Sequence, residues 1–190
     1  MARAGKDDLP EALPDRPDYV LRQETLIERP LEELFDFFSR PTNLGAMTPP
    51  EMSFEILGQS TPELRAGTVL RYRIRLGPLP MGWVTLITDF ERNRRFVDLQ
   101  ARGPYRLWWH EHRFEAEGEH TRMRDTVYYT LPAGPLGRLA HALTVRRTLE
   151  RIFAYRHQAM ARRFGARALP PAARTQAAQP ASGSTTTAVP

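Results

Sequence analysis

The alternation of apolar and polar residues predicts a run of β-strands through the middle of the chain. The clearest example is the segment 68–76, in which Leu70, Tyr72, Ile74 and Leu76 alternate with three arginines. Successive side chains of a strand point to opposite faces, so this pattern indicates a sheet with one buried and one solvated side. Short turns between the segments are typical of an antiparallel meander. The other six predicted strands cover 19–28, 52–60, 83–91, 95–101, 105–114 and 121–131.

Helical spacing appears on both sides of the last six strands. Pro30 suits the first position of a helix that extends through Ser39, and a second short helix is predicted over 42–48, before Pro49-Pro50. A long helix is predicted over 136–164, with Gly165 at its C-terminal cap. Its apolar stripe consists of Leu139, Leu143, Leu149, Ile152, Phe153, Met160 and Phe164.

This order of elements predicts an α+β domain in which one long helix covers the concave side of a curved antiparallel sheet of about seven strands. Such a sheet leaves a gap beside the helix, and that gap is expected to be a pocket. The folded domain is expected over residues 18–165. Residues 1–17 and the Ala-, Pro-, Ser- and Thr-rich tail 166–190 lack periodicity and are predicted to be disordered.

Composition removes several classes of function. The chain of 190 residues has no cysteine, which excludes disulfides, thiolate metal sites and cysteine nucleophiles, and which favours a cytoplasmic location. No apolar run approaches the ~18 residues of a membrane span, and the N-terminus lacks the apolar core of a secretory signal. We therefore expect no stable membrane insertion.

The net charge of +5 is concentrated in the long helix, where residues 136–165 carry seven arginines and one acid, Glu150. A solvated helix face explains this charge most simply, and no nucleic-acid partner is expected. A basic-helix adaptor at membranes or nucleic acid is a weaker alternative, to be tested by charge reversal of Arg146, Arg147 and Arg151.

The strand 105–114 carries the candidate chemistry. Trp108, His110, His112 and Phe114 share one face, which places Leu107, Trp109, Glu111, Arg113 and Tyr105 on the other. Each imidazole needs a polar partner, so an inward histidine face must meet a carboxylate, water, a metal or a ligand. The isolated His120, His141 and His157 are interpreted as surface residues.

The neighbouring strands supply such partners. On the strand 95–101, we expect the inward face to carry Phe96, Asp98 and Gln100. The opposite face, with Val97, Leu99 and Ala101, is more apolar. It is not preferred, because that choice would turn Glu111 and Arg113 inward on the next strand. On the strand 83–91, the preferred inward set is Trp83, Thr85 and Ile87, with Val84, Leu86 and Thr88 as the alternative. The last strand is expected to turn Asp125, Val127 and Tyr129 inward. The predicted polar cluster is Asp98, Gln100, His110, His112 and Asp125. The predicted apolar wall is Leu70, Tyr72, Ile74, Trp83, Trp108, Phe114, Val127, Tyr129, Ile152 and Phe153.

The combined pattern resembles bacterial members of the START-like superfamily, the SRPBCC or polyketide cyclase/dehydrase-like proteins. The similarity covers about residues 19–164. The residues that carry it are Phe96, Asp98, Gln100, Gly103-Pro104-Tyr105, Trp108, His110, His112 and Phe114, then Asp125, Val127, Tyr129, Leu131-Pro132 and Gly134, and finally Ile152-Phe153 and Tyr155-Arg156. The resemblance implies a helix-grip fold with a deep cavity for a hydrophobic molecule. It implies no reaction, because this superfamily mixes carriers, sensors, cyclases and hydrolases.

Three interpretations of the cluster remain open. Asp98 or Asp125 could only fix the histidine tautomers, the cluster could orient a ligand carbonyl or hydroxyl, or two histidines and a carboxylate could bind zinc or iron. No third close ligand is evident, and the resembled superfamily generally works without metal, so no metal and no cofactor are expected.

We predict that the chain binds a hydrophobic or amphipathic molecule of lipid-, polyketide- or isoprenoid-like character, as a monomer or weak homodimer. The alternative is a cyclase- or dehydratase-like enzyme with His110, His112 and Asp98 as general acid and base. The predicted ligand contacts are Tyr72, Ile74, Trp83, Asp98, Gln100, Trp108, His110, His112, Phe114, Asp125, Tyr129 and Phe153.

Overall fold

The computed structural model describes residues 13–76, 79–168 and 176–177. The predictions made for residues 1–12, 169–175 and 178–190, and for the side chain of Leu76, lie outside these residues. Within the described N-terminal part, Asp15 pairs with Arg106 at 2.7 Å.

The strands form one antiparallel sheet, and its middle is the predicted meander. Its order is β2-β3-β4-β5-β6-β7-β1-β8, and β9 also pairs with β1. The first strand therefore lies beside the seventh. The strands are β1 (Tyr19–Ile27), β2 (Glu55–Gln59), β3 (Val69–Leu76), β4 (Leu79–Glu91), β5 (Arg95–Arg102), β6 (Leu107–Glu117), β7 (His120–Thr130), β8 (Ala166–Ala168) and β9 (Gln176–Ala177).

The helices follow the predicted positions closely. Helix α1 spans Leu31–Phe38, and two 3-10 helices, Pro41–Met47 and Pro50–Met52, replace the single short helix that was predicted. The C-terminal helix consists of α2 (Gly134–Ala140), a π-helical turn (His141–Val145) and α3 (Arg146–Phe164), joined without a break in helical backbone. None of the described helices is long and apolar enough to cross a membrane.

The C-terminal helix packs on the concave face of the sheet, which gives the helix-grip fold. One interior cluster surrounds Phe35, Phe114 and Met160, and a second surrounds Trp108, Tyr129 and Phe153. The inward sets of β3, β4 and β7 are those predicted, since Leu70, Ile74, Trp83, Ile87 and Val127 are all buried. The arginines that alternate with them on β3 are exposed.

The convex face of the sheet has a smaller apolar cluster of its own. It is formed by Val20, Val97, Leu107, Trp109 and Tyr128, with Leu13 and Leu99 packed against it. Strand β5 therefore buries residues on both faces, Phe96 on the concave side and Val97 on the convex side. This explains why alternation alone gave two competing registers for this strand.

Two sequence expectations about local structure were wrong. The connection 77–82, rich in Gly and Pro, is predicted as a turn between the strands 68–76 and 83–91, but within it residues 79–82 pair with β3 as the start of β4. The predicted helix stripe included Leu139 and Leu143, which are 57% and 61% exposed, whereas His141 is buried. The inward stripe of the C-terminal helix instead includes His141, Leu149, Phe153, Arg156 and Met160.

The sheet also extends beyond the predicted domain boundary at residue 165. Residues Ala166–Ala168 pair with Thr25, Leu26 and Ile27 of β1, and the Glu28 amide donates to the Gly165 carbonyl at 2.8 Å. Gly165 has a φ of 69°, a conformation that favours glycine, so the helix turns there into β8.

Candidate functional site

A cavity of about 590 Å³ lies between the concave face of the sheet and the C-terminal helix. Its size is ordinary for a small-molecule site, and its wall is mostly aliphatic and aromatic. Both 3-10 helices contribute to the wall, together with β3 to β6 and the helix. The lining residues are Leu44, Met47, Thr48, Met52, Phe54, Tyr72, Ile74, Trp83, Asp98, Tyr105, Trp108, His110, His112, Thr144, Val145, Thr148, Leu149, Arg151, Ile152, Phe153 and Arg156.

Cross-strand register brings the polar residues of the wall together. Asp98 on β5 lies opposite His110 on β6, and His112 lies opposite Asp125 on β7. Side chains directly opposite each other on one face are the closest neighbours in a sheet. The two imidazoles are adjacent on β6, with ring centroids 3.8 Å apart.

Each histidine lies between the two carboxylates. His110 places Nε2 at 3.0 Å from Asp125 Oδ1 and Nδ1 at 3.4 Å from Asp98 Oδ2. His112 places Nδ1 at 2.7 Å from the same Asp125 oxygen and Nε2 at 3.0 Å from the same Asp98 oxygen. One oxygen of each aspartate therefore faces two ring nitrogens.

Arg156 of α3 completes this polar cluster from the helix side. It is buried, and its Nε lies 3.3 Å from Asp125 Oδ2, while Nη2 lies 3.5 Å from Asp125 Oδ1 and 3.3 Å from His112 Nδ1. The guanidinium also lies 4.9 Å from the ring centroid of Phe38. Because guanidinium nitrogens only donate, the carboxylate of Asp125 is the natural partner of Arg156.

Burial and neighbouring charges move the pKa values of the two histidines in opposite directions. Burial, reinforced by His112, lowers the pKa of His110. Burial also opposes protonation of His112, but its hydrogen bonds and charge interactions with Asp125 and Asp98 outweigh this effect and raise its pKa.

The two carboxylates remain acidic for the same reason. Burial works against their ionisation, but His110 and His112 lower the pKa of Asp98, and Arg156 with both histidines holds the pKa of Asp125 well below its ordinary value. The two carboxylates therefore face the guanidinium of Arg156 and the two imidazoles, of which His112 is the easier to protonate.

Eight of the twelve predicted ligand contacts line the cavity: Tyr72, Ile74, Trp83, Asp98, Trp108, His110, His112 and Phe153. The other four lie elsewhere. Asp125 sits behind the histidines, and Phe114 packs against Phe35 and Phe38 in the core. The hydroxyl of Tyr129 bonds with His141 Nε2 at 2.8 Å, which also corrects the surface interpretation of His141.

Gln100 holds a loop instead of reaching the cavity. Its Nε2 donates to the Tyr105 carbonyl at 2.6 Å, and its Oε1 accepts from the Tyr105 amide at 3.3 Å. A Cβ on Gly103 would collide with the Gln100 side chain, so glycine is needed for this contact. The loop brings Tyr105 to the cavity wall, although strand alternation had placed it on the other face, because β6 begins only at Leu107.

Several lining residues were not predicted. Leu44, Met47, Thr48, Met52 and Phe54 come from the 3-10 helices and the segment after them. Leu44, Met47 and Thr48 lie in segments without a simple period, so no sequence pattern indicated their direction. Met52 and Phe54 were predicted as the start of the strand 52–60, but β2 begins only at Glu55. For Arg156 the sequence suggested a packing role on the helix face, preferred to a polar group at the cavity mouth. Its spacing of seven residues from Leu149 places it on the inward stripe.

Comparison with protein families gives one match. The family described as "Domain of unknown function (DUF8410)" matches residues 46–164, which include most of the cavity wall. No curated protein matches the chain by sequence.

Several solved structures share the fold at low identity. A protein from Thermus thermophilus is 19% identical with a TM-score of 0.58, over 76% of this chain and 95% of its own. The Zhui aromatase/cyclase from Streptomyces sp. R1128 is 16% identical with a TM-score of 0.55, over 75% and 94%. Norcoclaurine synthase from Thalictrum flavum, in complex with dopamine and hydroxybenzaldehyde, is 14% identical with a TM-score of 0.54, over 75% and 84%.

Proposed function

The chain belongs to the family described as a domain of unknown function (DUF8410), and we propose that it binds a hydrophobic or amphipathic small molecule between its sheet and its C-terminal helix. The observation that carries this proposal is the cavity of about 590 Å³ with the polar cluster in its wall. Binding sites for small molecules typically combine an apolar wall with a few convergent polar groups.

The wall favours a ligand with flat or branched apolar parts. Trp83 and Trp108 meet edge to face with ring centroids 5.4 Å apart, and Tyr72 stacks on Trp83 at 5.9 Å. Burial of apolar ligand surface against such rings contributes about 25 cal/mol per Å² before the costs of association. An aromatic or isoprenoid body would suit this environment.

The polar groups favour one or more oxygen atoms on the same ligand. The indole Nε1 of Trp83 is buried and has no hydrogen-bond partner among the described residues, so it is a donor that a ligand oxygen could satisfy. Asp98, His110 and His112 line another part of the wall. The aromatase/cyclase and the norcoclaurine synthase complex show that this fold accommodates proteins named for small-molecule chemistry.

The proposal is tested with 1-anilinonaphthalene-8-sulfonate, an amphipathic probe whose fluorescence rises in apolar sites. Thr148→Trp would fill part of the cavity, whereas Ala154→Trp places the same ring on an exposed position of α3 outside it. We expect saturable binding that Thr148→Trp weakens at least tenfold and Ala154→Trp leaves unchanged. Equal binding by both variants would contradict the proposal, as would probe fluorescence without saturation.

Native mass spectrometry of protein purified from its own host identifies the natural ligand class. We expect a retained lipid-, polyketide- or isoprenoid-like compound that is lost from the Thr148→Trp protein and kept by the Ala154→Trp protein. Retention of the same compound by both variants would place it outside the cavity.

A second candidate function is a cyclase- or dehydratase-like enzyme. One observation favours it: Asp98, His110 and His112 reach the cavity wall, where they could transfer protons to and from a carbonyl compound. Turnover of a poly-β-ketone chain that is lost in His110→Ala, with probe binding retained, would support an enzyme. If the wild-type protein binds the compound without turnover, the result would favour a carrier or a sensor over an enzyme.

A further inference from the structure

We propose that Asp98, His110 and His112 form a binding site for a divalent first-row transition-metal ion, such as Zn²⁺ or Fe²⁺. The sequence offered two histidines without an evident third ligand, and no metal was therefore expected. The pairing of β5 with β6 supplies that third ligand, because it places Asp98 beside both imidazoles. The proposal is independent of the identity of any organic ligand.

The spacing of the three side chains fits one ion. Asp98 Oδ2 lies 3.0 Å from His112 Nε2 and 3.4 Å from His110 Nδ1, and one donor atom from each residue lies within 4.8 Å of the others. Donor atoms about 2.0–2.1 Å from a metal ion are roughly 2.9–3.4 Å apart in octahedral or tetrahedral geometry. Two histidines and one carboxylate are also a donor set that such ions prefer.

The number of hydrogen-bond donors in the cluster is also compatible with an ion beside Asp98. Four contacts join ring nitrogens to carboxylate oxygens, but two neutral imidazoles have only two N–H groups. The described hydrogen bonds join His110 Nε2 to Asp125 and His112 Nε2 to Asp98, which leaves His110 Nδ1 without a hydrogen to donate to Asp98 Oδ2. With a cation bound, the hydrogen of His112 would move to the Nδ1 atom that faces Asp125, and both His110 Nδ1 and His112 Nε2 would direct lone pairs at the ion.

Asp125 and Arg156 fit a supporting role. Histidines that bind metals commonly donate their other ring N–H to a carboxylate, which fixes the tautomer and the ring orientation. Asp125 Oδ1 lies 3.0 Å from His110 Nε2 and 2.7 Å from His112 Nδ1, so one carboxylate would serve both ligands. Arg156 balances the charge of Asp125 and leaves the charge of Asp98 for the ion.

The position of the site leaves coordination positions for another molecule. All three proposed ligands line the cavity, so positions not occupied by protein face its interior. Three protein ligands with further open positions are typical of reactive metal sites, whereas structural zinc sites have four. The site would therefore accept a water molecule or an oxygen atom of a molecule in the cavity.

The test uses tag-free full-length protein, stripped with a chelator, and measures Zn²⁺ binding by calorimetry. We expect one site of micromolar affinity or tighter. Asp98→Asn and His110→Ala, each checked for folding by circular dichroism, should weaken binding at least tenfold, and Asp125→Asn should weaken it roughly 10- to 100-fold. His120→Ala and His157→Ala, which replace histidines outside the cluster, should leave the affinity unchanged.

A second measurement on the wild-type protein does not depend on the folding of any variant. Zn²⁺ should shift the ¹⁵N resonances of His110 Nδ1 and His112 Nε2, with no change at His141. Absence of Zn²⁺ binding below millimolar concentration would overturn the proposal. So would binding that moves only the resonances of His120 or His157, because that result would assign the ion to another place.

Discussion

One carboxylate oxygen of Asp125 lies within 3.0 Å of a ring nitrogen of each histidine, and its other oxygen faces Arg156 at 3.3 Å. Its side chain is 2% exposed, and that of Arg156 is 10% exposed. Removing one partner of a buried ion pair costs more than the pair contributes, because the remaining charge loses both solvent and partner. The single carboxylate thus joins two strands to the helix.

For this residue we predict that Asp125→Asn lowers the free energy of unfolding by about 3 kcal/mol or more, since an amide of the same size leaves Arg156 without its countercharge. Urea denaturation measures the change. Adding Arg156→Met to Asp125→Asn should restore part of the loss, because the uncompensated charge is then also removed.

The control for this prediction is Asp36→Asn. Asp36 lies 3.0 Å from Arg92, but both side chains are largely exposed, so its substitution should cost less than about 1 kcal/mol. Equal costs for the two aspartates would contradict the assignment of Asp125 as a buried ion-pair partner.

Individual residues were predictable where strand alternation determined their direction. Asp98, His110 and His112 were grouped correctly because alternation on β5 and β6 is regular at these positions. Gln100 was wrongly placed in the cavity wall, because its side chain bends back to the Tyr105 backbone. Alternation predicts the face of a residue but not its hydrogen-bond partner. For Arg156 a packing role was preferred to a place in the cavity wall, because a charged residue on an inward stripe becomes plausible only once Asp125 is known to lie opposite.

The C-terminal helix shows what one irregular turn does to an element. The π-helical turn His141–Val145 lies between two α-helical segments, and each such turn shifts the face that follows it. His141 stacks on Tyr19 with ring centroids 3.6 Å apart, while Leu139 and Leu143 face solvent. A uniform period of 3.6 residues, applied to apolar residues alone, could not reveal this arrangement.

We predict that Leu143→Ala and Leu149→Ala differ strongly in cost, although the sequence placed both leucines on one apolar stripe. Leu143 is 61% exposed and Leu149 is 3% exposed. Leu143→Ala should change the free energy of unfolding by less than about 0.5 kcal/mol. Leu149→Ala should cost about 2 kcal/mol, the lower end for a buried leucine, because its side chain adjoins an existing cavity.

Thermal or urea unfolding of the two leucine variants, measured side by side, decides this prediction. Similar losses of stability in both proteins would mean that Leu143 is buried in solution, and that the helix continues through 141–145 without the change of face.

At the scale of the whole molecule, the fold was accessible from sequence and the cavity wall was accessible only in part. Short turns between alternating segments determine a meander, and the long predicted helix is large enough to cover it. The wall also needs the 3-10 helices, in which Met47 had no direction assigned by any period and Met52 was predicted to begin a strand. The C-terminal boundary was set too early because three residues of an Ala- and Arg-containing segment give no strand pattern of their own.

The three residues of β8 cover one edge of the sheet, at strand β1. Strand β1 pairs with β7 on one side, and β8 pairs with residues 25–27 on the other. Strand edges with unpaired backbone groups are costly and favour association between chains. The residues that cover this part of β1 therefore belong to the folded unit, even though they follow the glycine that ends the helix.

We predict that a chain ending at Gly165 is less stable than one ending at Ala168 by about 1–2 kcal/mol, which corresponds to the backbone hydrogen bonds of β8. Both truncated chains lack residues 169–190, so the comparison isolates the three residues of β8. The Arg167–Glu28 ion pair adds little to this difference, because its side chains are 73% and 41% exposed. Urea denaturation measures the stabilities, and light scattering should show more self-association for the shorter chain. Identical denaturation curves would mean that β1 is a tolerated edge and that the domain ends at the helix.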